Sequence, residues 1–253
     1  MQYPMTVSFV DVGQGDGAVI ECEDIVVLVD GGDAGSTYKF NNYIRSRGIK
    51  SIDCYIATHP HADHIGAIPG ILSVCDVETF ILPEFSELNM PATKTYENLL
   101  LAVAEEDCEV IFPKPGEALT FGSLTLDFFA PVEQTDNYND MSIVFRATYG
   151  KTSFLFAGDA EKNSEKLMLN KGYDLNADVL KVGHHGSSTS SSPAFIDSVS
   201  PDFAVISCGK NNEFGHPAPE VLKSLENYGT KVFRTDLNGT IVFNSDGNKI
   251  IKE

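Results

Sequence analysis

Along the first third of the chain, apolar residues recur with the short period of extended strands. Met5, Val7 and Phe9 alternate with Thr6 and Ser8, the pattern of a strand with one covered face. Residues 18–22 and 25–29 are two further short runs, the second continuous, as in a strand covered on both faces. Residues 38–47 then read as a helix stopped by Gly48, and residues 52–58 return to strand. After an apolar run beginning at Ile65 come a helix over 96–106, two strands over 118–129 around Gly122-Ser123, and a hairpin of 142–149 with 152–157 about Gly150. Residues 161–171 form a helix with Gly172 as its stop, and 179–182 a strand. Ser192-Pro193 opens a helix with a serine cap and a proline in its first turn. Residues 204–207 are a strand. Residues 219–228 are a helix with Val221, Leu222, Leu225 and Tyr228 on one face and Gly229 as its stop, and Asn238-Gly239 turns between two last strands.

Strands and helices interleaved in this way predict an α/β fold of mixed, largely antiparallel sheets with helices outside. No linker or low-complexity stretch divides the chain, so 1–253 reads as one domain.

Composition narrows the function. Thirty-six acidic against eighteen basic residues leave a net charge of -18, which repels a polyanion at long range. Tight nucleic-acid binding, which needs many cationic phosphate contacts, is therefore not expected. The same holds for an anionic membrane surface. No apolar stretch reaches membrane-spanning length, and residues 1–10 contain no Lys or Arg, unlike a signal peptide. Five widely spaced cysteines without a C-x-x-C pair point to reduced thiols and a cytoplasmic protein.

The chemistry concentrates in the histidines. Of six in the chain, three fall in His59-Pro60-His61-Ala62-Asp63-His64, two are adjacent at His184-His185, and one is His216. Neutral imidazole is the commonest protein metal ligand. His59 and His61, two apart in a turn after a strand, can present nitrogens on one side, and Asp63 and His64 can reach a second point nearby. Binuclear hydrolases hold two ions roughly 3.5–4 Å apart. A set of His and Asp without Cys suits zinc, and manganese or iron as well.

H-x-H-x-D-H after a strand resembles the signature of the metallo-β-lactamase fold superfamily. The segments Phe9-Val10-Asp11-Val12-Gly13-Gln14-Gly15-Asp16, Asn139-Asp140-Met141-Ser142 and Leu180-Lys181-Val182-Gly183-His184-His185-Gly186-Ser187 are similar to the hydrolase domain of ComEC-type competence proteins. The similarity runs from about residue 5 to about residue 245 and does not include the membrane-spanning parts of those proteins. It implies a freestanding relative with a four-layer αββα sandwich and two metal ions at one edge between the sheets.

The resemblance further implies that Asp159, in Ala157-Gly158-Asp159-Ala160, bridges both ions. Asp30 would act behind a ligand, and Gln14, Asp16, Asn139 and Ser142 would lie behind the ligands or near substrate. One of His184 and His185 would complete the second ion's shell with Asp63, His64 and Asp159. Phosphorylcholine esterases of the superfamily favour His185, leaving His184 as a proton donor. His216 is a candidate for substrate contact or acid catalysis. Many members carry one more histidine before the aspartate. None lies between His64 and His184 here, so the ion at His59 and His61 is expected to bind more weakly.

These expectations describe a metal-dependent hydrolase in which metal-bound hydroxide attacks a small phosphodiester, with Asp63, Asp159, His184 and His216 taking part in catalysis. Lactone, thioester or β-lactam opening on the same fold is the alternative chemistry, and a metal-binding protein without catalysis is the alternative class.

Overall fold

In the computed structural model, which describes residues 3–253, the chain forms two sheets face to face. It begins with β1 (Met5–Phe9), β2 (Gly17–Cys22), β3 (Ile25–Asp30), β4 (Ser51–Ile56), β5 (Asp76–Ile81) and β6 (Glu109–Ile111). It continues with β7 (Ala118–Phe121), β8 (Leu124–Ala130), β9 (Val144–Tyr149), β10 (Thr152–Phe156), β11 (Val179–Lys181), β12 (Phe203–Ile206) and β13 (Lys231–Arg234), and ends with β14 (Ile241–Ser245) and β15 (Ile250–Lys252). One sheet has eight strands in the order β15-β14-β1-β2-β3-β4-β5-β6, and the other has seven in the order β13-β12-β11-β10-β9-β8-β7.

The alternation of side chains along these strands creates three apolar layers. Val7, Phe9, Ile20, Val27 and Ile56 of the first sheet meet Leu126, Phe145, Phe154, Val179 and Val205 of the second in a central core. The outer face of the first sheet, including Leu28, Tyr55 and Phe80, is covered by α1 (Thr37–Arg47), α2 (Ala62–Ile65), α3 (Ile68–Leu72) and α4 (Lys94–Glu105) through Phe40, Ile44, Ile65, Ile68 and Leu99. The outer face of the second is covered by α5 (Lys162–Lys171), α6 (Pro193–Val199) and α7 (Pro219–Asn227) through Met168, Phe195, Ile196, Val221 and Leu225. The fold is the expected αββα sandwich.

Three local readings are corrected. The sheets are not largely antiparallel: seven strand pairings are antiparallel and six parallel among the described residues. Helical crossovers between β3 and β6, and between β10 and β13, bring successive strands in side by side with the same direction. Asn238-Gly239 does not join a hairpin, because β13 pairs with β12 and β14 with β1, in different sheets. A one-turn helix, α8 (Thr235–Asn238), makes that crossing. Tyr228 lies outside the packed face of α7, capping its C-terminal end and remaining 44% exposed.

Candidate metal centre

The carboxyl ends of strands from both sheets converge on one edge of the sandwich, where a parallel strand order places ligand sites. From the first sheet, β3 ends in Asp30 and β4 runs into Thr58 and His59. From the second, β10 leads to Asp159 and β11 to His184 and His185. The residues singled out above come from segments up to two hundred residues apart, and folding collects them there.

Two groups of donor atoms form around Asp159. In one, His59, His61 and Asp159 offer atoms all within 4.8 Å of one another, with His59 Nε2 3.1 Å from His61 Nδ1 and 3.7 Å from Asp159 Oδ2. In the other, His64 Nε2 lies 3.4 Å from His185 Nε2 and 3.2 Å from Asp159 Oδ1. His185 Nε2 is also 3.2 Å from Asp63 Oδ2 and 3.5 Å from Asp159 Oδ2. Asp16 falls within the same radius of this second group, but its Oδ2 is taken by Lys181 Nζ at 2.7 Å and its Oδ1 faces the opposite ring nitrogen of His185. Asp63, on the Nε2 side, is the better placed donor.

This set fits divalent ions. Asp159 is buried, and its Oδ1 makes no hydrogen bond despite its closeness to His64. An orphaned buried oxygen of this kind costs about 1–3 kcal/mol unless something else satisfies it. Ring nitrogens of His59 and His61, and of His64 and His185, likewise converge to 3.1 and 3.4 Å.

The electrostatics divide the histidines. Burial, reinforced by the neighbouring His64, holds His59 well below the usual imidazole range, and burial lowers His61 as well. Burial also opposes a charge on His185, but Asp159 and Asp16 overcome it and raise the ring to about 10. Asp159 and Asp30 similarly raise His64 well above its ordinary value. Asp159 itself is held well below the carboxylate range, burial being outweighed by His185 and His64. An ion at this centre would compete with protons for the ring nitrogens of His64 and His185.

His64, His185 and Asp159 are braced from behind. Asp30 Oδ2 lies 2.8 Å from His64 Nδ1 and accepts from Thr58 Oγ1 at 2.7 Å, while Asp30 Oδ1 accepts from Thr58 N–H at 2.8 Å. His185 Nδ1 lies 3.0 Å from Ser207 O. Asp159 N–H donates to the fully buried Ser142 Oγ at 2.9 Å. His184 and His185 take left-handed backbone angles, φ 48° and 53°, a conformation costing about 1–3 kcal/mol each. The turn throws their rings to different places. His185 points into the second group, while His184 Nε2 is 3.7 Å from Asp159 Oδ2 with its Nδ1 3.3 Å from Glu161 Oε1.

The remaining candidates sit farther out. Gln14 lines the cleft, but its Oε1 accepts from Gly209 N–H at 3.0 Å, tying two loops together. Asn139 donates to Glu161, and Asp140 Oδ1 accepts from Glu161 N–H and Ser164 N–H at the start of α5. His216 packs its ring against His184 and His185, with centroids 5.6 and 6.2 Å apart. Sequence reasoning gave no role to Lys181, Glu161 or Asn212, whose side chain clasps His216 through both N–H and C=O. Lys181 stood in a quoted motif, and a lysine in a three-residue strand with apolar neighbours was the available signal.

The site opens into a cleft of about 480 Å³ lined by Gln14, Asp33, His61, Asp63, Asp159, His184, Glu213 and Phe214, with no Lys or Arg. Among the described residues no helix is long and apolar enough to cross a membrane.

Comparison with known proteins agrees with this geometry. The family model of the metallo-beta-lactamase superfamily matches residues 10–210. ComE operon protein 3 of Bacillus subtilis (strain 168) is 32% identical over 260 residues, covering 94% of this chain and 32% of that protein. Competence protein ComA of Neisseria gonorrhoeae is 27% identical over 237 residues, covering 92% and 31%. The chain thus spans about a third of the length of these relatives. Among solved structures, the metallo-beta-lactamase fold protein YhfI from Bacillus subtilis matches with a TM-score of 0.67 at 16% identity, covering 96% of this chain and all of that one.

Proposed function

The chain belongs to the metallo-beta-lactamase superfamily, and from that premise we propose that it is a two-ion hydrolase acting on small phosphodiesters. The observation that carries this reading is the position of Asp159 between two donor groups. His59 and His61 would hold one ion with Asp159, and Asp63, His64 and His185 the other. Zinc suits this nitrogen and oxygen set, as would manganese or iron. When bound, such ions supply an activated water at neutral pH and neutralise charge developing on a phosphoryl oxygen.

The chain's own groups would orient the substrate and move the proton. Glu161 and Thr189 hold His184 at Nδ1, so that the ring in its imidazolium form would donate the Nε2 proton to a leaving oxygen and return to neutral imidazole. His216, clasped by Asn212, closes the other side of the His184 ring. Asp33, Asp63 and Glu213 line the cleft without a cationic partner among the lining residues. A polymer would find no distributed phosphate contacts there, whereas a small diester needs only the ions and a few donors. The free thiols of all five cysteines suit a reducing compartment such as the cytoplasm.

The test is turnover of bis(p-nitrophenyl) phosphate by metal-reconstituted protein, against single- and double-stranded DNA at low and physiological salt. Diester turnover with little DNA degradation is expected. Efficient DNA degradation at physiological salt overturns the size preference. Rapid β-lactam or lactone opening without diester turnover overturns the phosphodiesterase reading itself.

A further inference from the structure

Lys181 occupies a position that strand periodicity assigns to the central core. Val179, two residues earlier on β11, packs between the sheets, and Leu180 packs on the outer face. Lys181 therefore points inward, and only 3% of it is exposed. Its Nζ reaches across the interlayer to Asp16 Oδ2 at 2.7 Å and also donates to Val182 O at 3.0 Å. Asp16, in the loop between β1 and β2, is buried too.

A buried ion pair is a poor source of stability, since the desolvation of both charges is often larger than their attraction. The pair's surroundings give it another purpose. Asp16 Oδ1 lies 3.3 Å from His185 Nδ1, beside the Ser207 carbonyl on the same nitrogen. Asp16 N–H donates to Asp63 O at 3.1 Å. One residue thus touches the back of two proposed ligands, and the lysine fixes its carboxylate.

We infer that Lys181 and Asp16 are positioning residues, holding His185 with its hydrogen on Nδ1 and Nε2 free, and Asp63 in line with it. The inference rests on the metal reading above. With Oδ2 pinned by the ammonium, the carboxylate presents only Oδ1 to the ring. Flanked there by two oxygens, Nδ1 carries the hydrogen, and Nε2 faces Asp63, His64 and Asp159 with its lone pair. Because Lys181 belongs to the second sheet and Asp16 to the loop joining β1 and β2 of the first, the pair also fixes the registry of the two halves that supply the donors.

The test uses full-length metal-free protein titrated with Zn²⁺ by calorimetry and with Co²⁺ by visible absorption. Ring nitrogen shifts from NMR assign each ion to its histidines. Asp16→Asn and Lys181→Met should each weaken the His64–His185 site by about 10–100-fold, the usual effect of losing a partner behind a ligand. The His59–His61 site should change by less than about threefold, and the His185 nitrogen shifts should show mixed tautomers. The double variant, which leaves neither charge buried, should be no worse than the more affected single variant, since coupled residues are non-additive. It also carries the test if Lys181→Met does not fold. Unchanged Zn²⁺ affinity and Co²⁺ spectrum in Asp16→Asn overturn the inference. So does equal weakening of both sites in step with a fall in metal-free melting temperature, which would make the pair a scaffold. Wild-type protein that takes up no ion overturns the metal reading, and with it this inference. Loss of diester turnover alone, with both ions bound as described, bears only on the proposed substrate.

Discussion

Asp30 Oδ2, at the end of β3, and His64 Nδ1, on α2 beyond the neighbouring parallel strand β4, lie 2.8 Å apart. The same carboxylate takes both the N–H and the hydroxyl of Thr58, so one buried side chain sets the ring of His64 and the backbone that leads into His59. Replacing Asp30 with Ala should free His64 to rotate and leave Thr58 N–H unsatisfied. We expect a loss of about 10–100-fold in affinity for the second ion and a destabilisation of about 1–3 kcal/mol. Calorimetric titration and denaturant melts of the metal-free protein measure the two separately.

Asp159→Ala should act on both ions at once. The residue is the member common to the two donor groups, so elemental analysis should show less than one ion per chain against the two expected for the wild type. Diester turnover should fall by at least the 10–100-fold that loss of an outer partner produces. Loss of one ion only would show that Asp159 serves a single site.

The two ions should bind with different affinity. Among the described residues this group has three members, His59, His61 and Asp159, and Asp140 Oδ1 is taken by N–H groups at the start of α5. Anomalous scattering from crystals soaked at rising Zn²⁺ should show the His64–His185 position filling first. Equal occupancy throughout would overturn the expectation.

Much of this was readable in the chain. The histidine clusters, the strand before each, and the glycine stops of α1 and α5 are local signals, and Gly48 and Gly172 cap those helices as read. Less legible were β5 and β6. Val77, Phe80 and Ile81 are buried, but the preceding segment, with Gly66, Pro69 and Gly70, breaks any clean period, and β6 has only three residues. Parallel pairing was invisible for a different reason, as it is fixed by which helices cross over rather than by any residue in the strands. The contacts behind the donors, such as Asp16 with Lys181, join residues 165 positions apart, a pairing that spacing cannot disclose.

Gly15 offers a backbone test of the centre. Its φ is +129°, and a Cβ there would stand 2.1 Å from the carbonyl oxygen of Asp63. Gly15→Ala must move either the loop or Asp63. A destabilisation of about 1–3 kcal/mol follows from backbone strain, together with weaker binding of the ion near Asp63. A normal melting temperature and unchanged metal titration would show that the loop gives way freely.

The last expectation concerns pH and lies outside the donor set. Glu165, on α5, is buried, with Oε2 accepting from Ser192 N–H at 2.9 Å and Oε1 accepting from Ser191 N–H. It anchors the serine loop that carries Thr189 to His184. Burial raises its carboxyl above the ordinary value of 4.5, and the bonds from Ser192 and Ser191 oppose that shift without cancelling it. The folded chain therefore binds this proton more readily than the unfolded chain. As pH rises from 4.5 through the higher folded value, the folded state loses the advantage, so this group's contribution to stability falls with rising pH. Glu165→Gln keeps the shape and an acceptor but does not titrate. In metal-free protein between pH 4 and 7, the stability of wild type minus that of Glu165→Gln should therefore decline as pH rises, by at most about 1.4 kcal/mol per pH unit. A difference that grows with pH would mean that the two serine N–H groups stabilise the carboxylate more than burial penalises it.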